Sequence, residues 1–183
     1  MRRLGYDRYG AQGGDWGALI TTNLGILDPA HVCGIHVNMP LALPQEDRSD
    51  LTDAERDDLL AMQMFEFEET GYQKIQGSKP QTLGFGLNDS PAGLAAWIVE
   101  KFRTWSDCGG DIERRFSKDR LLTNITLYWV TQTINSSTRL YYETMHSRAL
   151  SGGLGGERDA FKVTVPTGAA IFPKEIYCPP RSW

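Results

Sequence analysis

The run Gly13-Gly14-Asp15-Trp16-Gly17 sets one acidic side chain among glycines, in the small-x-nucleophile-x-small spacing of a strand-to-helix elbow that more often carries serine. A carboxylate at the N-terminus of a helix is expected to be kept ionised by the dipole and by backbone N–H groups, with little desolvation by its neighbours. In that state it can attack an electrophilic sp³ carbon, giving an ester that an activated water hydrolyses. Epoxides and alkyl halides suit such a two-step displacement. The backbone N–H of Trp16, the residue after the nucleophile, would form half of an oxyanion hole for the second step. The plainer reading of these five residues is a glycine-rich turn whose aspartate caps a helix.

The flanking elements are those an elbow requires. "YDRYGAQ" can form a short strand, "WGALITTNLGIL" has helical apolar spacing, and "HVCGIHVNMP" is a β-rich run stopped by Pro40. Together they predict one βαβ unit, and hence a parallel α/β sheet with Asp15 at the C-terminal edge of its strands. Residues 1–40 are therefore assigned to an α/β core bearing the elbow.

From 41 to 150 the character becomes helical. Thr52 followed by Glu55 is a capping box, and Ser90-Pro91 opens a helix on which Leu94, Ala95, Ile98 and Phe102 share a face. "SKDRLLTNITLYWVTQTINSSTRLYYETM" predicts two more helices, with "SDCGGDIERRF" as a loop. "LSGGLGGERD" reads as a flexible linker, and "FKVTVPTGAAIF" alternates as a buried strand should. A strand returning after a helical insert predicts a helical lid over residues 41–150 and a return to the core over 151–183.

Composition narrows the class. The 183 residues carry a formal charge of -4 and no dense basic run, which argues against nucleic acid as a partner. Cys33, Cys108 and Cys178 lack metal-ligand spacing and are odd in number, as in a reducing compartment. No apolar run approaches the roughly 18 residues of a membrane helix, so this segment holds no anchor and is expected to be soluble and cytoplasmic. No G-x-S-x-G occurs, which sets serine-hydrolase chemistry aside.

The segments "GGDWGALITTN", "GYQKIQGSKPQTLGFGLNDSPAGLAAWIVEKFRTW", "FSKDRLLTNITLYWVTQTINSSTRLYYE" and "VTVPTGAAIFPKEI" together resemble the epoxide hydrolases of the α/β-hydrolase superfamily, most closely the microsomal-type branch. The resemblance runs in order from Gly10 to Trp183. It implies an α/β-hydrolase fold with a helical lid inserted after the elbow unit, and hydrolysis of an epoxide to a vicinal diol through an aspartyl ester. It implies Asp15 as nucleophile and Tyr72 and Tyr141 as proton donors to the epoxide oxygen. It also implies Glu175 as the acid that orients a catalytic histidine, and a small apolar epoxide as substrate with no cofactor and no metal. A phenol suits its task because it stays protonated at neutral pH, with an ordinary pKa of about 10. Tyr142 is the neighbour to separate from Tyr141, since adjacent helical residues point about 100° apart. Trp97, Phe102, Trp105 and Trp129 would line an apolar pocket or form lid core.

Two features set this chain apart from the pattern. No histidine follows Glu175, and His31, His36 and His146 read as packing or surface residues. Nothing like the family's His-Gly-x-Pro oxyanion loop precedes the elbow. The expectation is an interior segment that folds poorly alone, because strand edges and apolar faces would be open. The other readings are a haloalkane dehalogenase-like hydrolase, with the Trp16 indole as halide donor, and a catalytically inactive truncated fragment.

Overall fold

The computed structural model describes residues 1–40, 42, 51–147, 162–172 and 174–180. The linker predicted over "LSGGLGGERD" lies outside these residues. Two compact units divide the chain, Met1–Glu66 with Gly156–Trp183, and Phe67–Gly155.

The first unit is built on the predicted βαβ turn. Strand β1 (Tyr9–Gly13) leads through the elbow into helix α1 (Trp16–Leu27), and the chain returns as β2 (Val32–Asn38), parallel to β1. In β2, Val32, Ile35 and Val37 are buried and Cys33 and His36 exposed. The buried face packs with Ala18 of α1 into a core that Tyr9, Ala11, Leu24, Val163 and Val165 border. Gly25 lets α1 come close: a Cβ there would stand 3.2 Å from both Val163 and Val165. On the other side of α1, Ile20 and Leu27 are 61% and 79% exposed.

The returning strand differs from its prediction. Strand β3 covers only Thr167–Ala170, and its residues are mostly exposed rather than buried. It pairs parallel to β2 in a sheet of order β1-β2-β3, and among the described residues it has a neighbour on one side only. Pro166 has no N–H to offer a ladder, and its carbonyl instead accepts from Ile35 at 2.9 Å just before the strand begins. Val163 and Val165 still contribute to the core from outside the ladder.

Helix α2 (Asp53–Glu69) begins with the predicted capping box: Glu55 N–H donates to Thr52 Oγ1 at 3.2 Å and Thr52 N–H to Glu55 Oε2 at 2.9 Å. The boundary between the units falls within this helix. The second unit continues as α3 (Gly71–Ser78), α4 (Pro80–Asp89), α5 (Pro91–Thr104), α6 (Lys118–Thr131) and α7 (Ile134–His146). Ser90 caps α5 by accepting from Gly93 N–H at 3.0 Å. Its core is Leu87, Leu94, Ile125 and Ile134, with Leu94 wholly enclosed. Helix α7 seats against α4 where Gly84 admits Asn135, and against α3 where Gly77 admits the Met145 sulfur. A Cβ at either glycine would collide with those side chains. The predicted loop between α5 and α6 holds one 3-10 turn, Ile112–Arg114, after Gly109 and Gly110 at φ 60° and 85°. Among the described residues no helix is long and apolar enough to cross a membrane.

Candidate active-site residues in the two units

Asp15 stands at the N-cap position of α1 but does not cap it with its side chain. Its backbone sits at φ 51° and ψ -125°, a conformation that costs a residue with a Cβ of order 1–3 kcal/mol and that recurs at functional sites. Glycines on either side make the turn possible. A Cβ at Gly13 would run into the Gly17 carbonyl and come within 2.7 Å of Thr21 Oγ1, and one at Gly14 would lie 3.2 Å from the Asn38 Cβ. Asn38 is held in turn by Gln12, whose Nε2 donates to its Oδ1 at 2.9 Å. An aspartate that served as an ordinary helix cap would need neither the strain nor the crowding.

The electrostatics of Asp15 differ from the expectation. Desolvation is the largest influence and raises its pKa above the usual carboxylate value, while a hydrogen bond from the Trp16 backbone N–H pulls the other way and loses. The residue keeps an exposed surface even so. The Trp16 N–H thus acts on the Asp15 carboxyl itself, but it does not offset the burial around it.

Tyr72 on α3 and Tyr141 on α7 lie far apart in the sequence and meet edge to face, with ring centroids 5.7 Å apart at 77°. Both are half-buried. Tyr142 is exposed and points elsewhere, stacked at 4.1 Å on His146. Gln73 Nε2 donates to the Tyr72 hydroxyl oxygen at 3.0 Å. Behind Tyr72 stand groups that sequence reading missed. The Lys101 Nζ lies 5.2 Å from the Tyr72 ring centroid and 5.1 Å from that of Trp105, and the Trp105 indole N–H donates to Glu69 Oε2 at 3.0 Å. The i, i+4 spacing of Lys101 and Trp105, the C-cap residue of α5, was a signal available in the sequence. Of the four aromatics considered for a pocket, Trp97 and Trp129 pack on the helical core and Phe102 meets Phe116 at 5.0 Å, leaving Trp105 beside Tyr72.

Glu175 follows β3 and is half-buried, and its Oε1 accepts from the Ile176 N–H at 2.9 Å. It belongs with Asp15 to the first unit, Tyr72 and Tyr141 to the second. The histidines have other neighbours: His31 Nδ1 meets Asp28 Oδ1 at 2.5 Å, His36 borders Gly168, and His146 Nδ1 meets the Tyr142 carbonyl at 2.8 Å. Among the described residues no group of three His, Cys, Asp or Glu could hold a metal ion. Cys108 is buried, Cys33 is exposed, and burial pushes the Cys178 thiol up, with Asp58 and Glu175 adding to it.

No family model matches the chain. It is 42% identical over 204 residues to epoxide hydrolase 1 of Sus scrofa, an alignment that takes in 100% of this chain and 44% of that protein. With the juvenile hormone epoxide hydrolase of Bombyx mori it shares 39% identity over 201 residues, covering 98% of this chain and 43% of the relative. The crystal structure of that silkworm enzyme superposes on all of this chain and 47% of its own with a TM-score of 0.86, and the Aspergillus niger epoxide hydrolase structure does so at 0.80 and 29% identity, covering 44% of its own chain. The chain thus spans less than half the length of the relatives it matches. Identity of this degree along the whole chain, with the same backbone path, places it among them: the chain belongs to the epoxide hydrolases of the α/β-hydrolase fold.

Proposed function

We propose that this chain carries the nucleophile, the proton donors and the orienting acid of an epoxide hydrolase acting on a small apolar epoxide. The observation that carries this reading is the meeting of Tyr72 and Tyr141, because two phenols brought edge to face from distant helices suit an oxirane oxygen and have no use in halide displacement. An Asp15 carboxylate oxygen attacks an oxirane carbon. The C–O bond breaks, its electron pair passes to the ring oxygen, and that oxygen takes a proton from one of the phenols. The product is an aspartyl ester of a hydroxyalkyl group.

In the second half-reaction a water deprotonated by a histidine adds to the ester carbonyl. The backbone N–H of Trp16 receives the oxyanion, and the C–O bond breaks with its electron pair leaving on the alkyl oxygen, which takes the histidine's proton. The proton of the new carboxyl returns to the phenolate, so the diol leaves with Asp15 and the tyrosine restored. Glu175 is assigned the orientation of that histidine. The residues assigned here suffice for the first half-reaction, and no metal or organic cofactor takes part in either. The helical unit is assigned the part of a lid that supplies the phenols.

The test compares two electrophiles on the 183-residue chain by intact mass. Replacing both tyrosines by phenylalanine should slow alkylation by styrene oxide by about 10²-fold or more, the usual contribution of positioned general acids. Alkylation by a bromoalkane should keep its rate, since bromide leaves without a proton. Equal slowing of both would contradict the proton-donor assignment, and faster alkylation by the bromoalkane in the unmodified chain would favour the dehalogenase reading.

A further inference from the structure

We infer that Lys101 is a positioning residue for Tyr72, holding a positive charge against its ring so that the phenol gives up its proton more readily. The inference rests on the reading of Tyr72 as a proton donor. Lys101 Nζ lies over the faces of both the Tyr72 and the Trp105 rings, and those rings are themselves 5.2 Å apart. Its position is set by two carboxylates, Glu100 at 2.7 Å on its own helix and Glu69 at 3.7 Å from the end of α2. Glu69 is fixed in turn by the indole N–H of Trp105. The Lys101 and Glu69 side chains are only 23% and 24% exposed, so solvent screens this arrangement incompletely.

A cation over an aromatic face is attracted by the electron density of the ring. That density rises when a phenol becomes phenolate, so the attraction strengthens as the proton leaves and the ionised form is favoured. Charged and titratable groups face the cluster from several elements: Glu69 from α2, Glu100 and Lys101 from α5 and Tyr141 from α7. With Lys101 neutralised, the two carboxylates would lose their counter-charge beside Tyr72, and both changes oppose phenolate formation.

The experiment uses the 183-residue chain with tyrosine labelled at Cζ, the Tyr72 resonance being identified by its loss in Tyr72→Phe. Lys101→Met should raise the pH midpoint of Tyr72 ionisation by about half a unit or more, a shift within the range of cation–π energies. Lys101→Arg, which keeps a cation over the ring, should leave the midpoint near that of the unmodified chain. In parallel, Lys101→Met should slow alkylation by styrene oxide about tenfold, Lys101→Arg should restore most of it, and neither should slow Tyr72→Phe further. An unchanged Tyr72 midpoint in Lys101→Met overturns the inference, as does an equal loss of alkylation rate in the Tyr72→Phe background. A shifted midpoint with Tyr72→Phe alkylating as fast as the unmodified chain would refute the proton-donor premise, and the catalytic part of the inference with it, while upholding the coupling of Lys101 to Tyr72.

Discussion

The elbow in the first unit and the tyrosine pair in the second place chemical groups by opposite means. At the elbow Asp15 is positioned mainly from within a few residues of it, by glycines that admit the Gly17 carbonyl, a positive φ and a backbone donor from the next residue, with the Asn38 side chain packing on Gly14 from the end of β2. In the helical unit Tyr72 takes a local hydrogen bond from Gln73, but Lys101, Trp105 and Tyr141 reach its ring from distant parts of the chain, and those relations are not visible in its own neighbourhood of sequence. Local geometry presents a nucleophile under strain, whereas tertiary packing brings two neutral phenols together. Perturbations should therefore stay confined to the means that each unit uses.

The largest expected effect breaks the packing side of this contrast. Leu94 is fully enclosed at the centre of the helical core, and Leu94→Ala should cost about 3 kcal/mol there. Amide hydrogen exchange should rise through α4, α5 and α6 and stay unchanged in β2, since the two cores share no residue. Equal loss of protection in β2 would show that the units unfold as one.

Gly13→Ala makes the converse cut. Its Cβ has nowhere to go without moving the Gly17 carbonyl, so about 2 kcal/mol of stability should be lost around β1 and α1. Alkylation at Asp15 should fall with it, while the exchange protection of α5 is retained.

A smaller effect sharpens the electrostatic difference. Asp15 attacks only as a carboxylate, and its raised pKa moves the acid limb of the alkylation rate above the ordinary value of 3.8. Below that limb the rate should fall about tenfold per pH unit, and above it the rate should level. Folding shows the opposite sign. Protonated Asp15 is the form the folded state prefers, so its contribution to stability is fully present below 3.8 and is lost as pH rises through its raised pKa. An acid limb at or below 3.8 would mean that the Trp16 N–H outweighs desolvation after all.

The smallest effect concerns a single cap. Ser90→Ala removes the hydroxyl that accepts from Gly93 and should lower the stability of the helical unit by about 1 kcal/mol, read as a shift in its thermal transition.

The same contrast explains what the sequence makes legible. The βαβ unit, the capping box at Thr52 and the Ser90 cap rest on local spacing, and all three are present. Strand β3 is shorter and more exposed than its alternation implies, because alternation does not reveal that the strand has one neighbour among the described residues or that Pro166 withholds a ladder donor. The desolvation of Asp15 is larger than the motif implies for a related reason: dipole and backbone donor can be read from the motif, but burial of the carboxyl cannot. Tyr72 and Tyr141 came into view only through the resemblance to a family. Lys101 and Glu69 were missed, since their relation to Tyr72 exists only once α2, α3 and α5 are packed.

The measurement that tests the central claim most directly is location of the covalent adduct by peptide mapping after the 183-residue chain meets styrene oxide, with Asp15→Asn in parallel. The account predicts one added substrate on the peptide that contains Asp15 and none on that peptide in the variant. An adduct that survives Asp15→Asn, whether on the exposed thiol of Cys33 or on His36, with Asp15 itself unmodified in the parent chain, would contradict it.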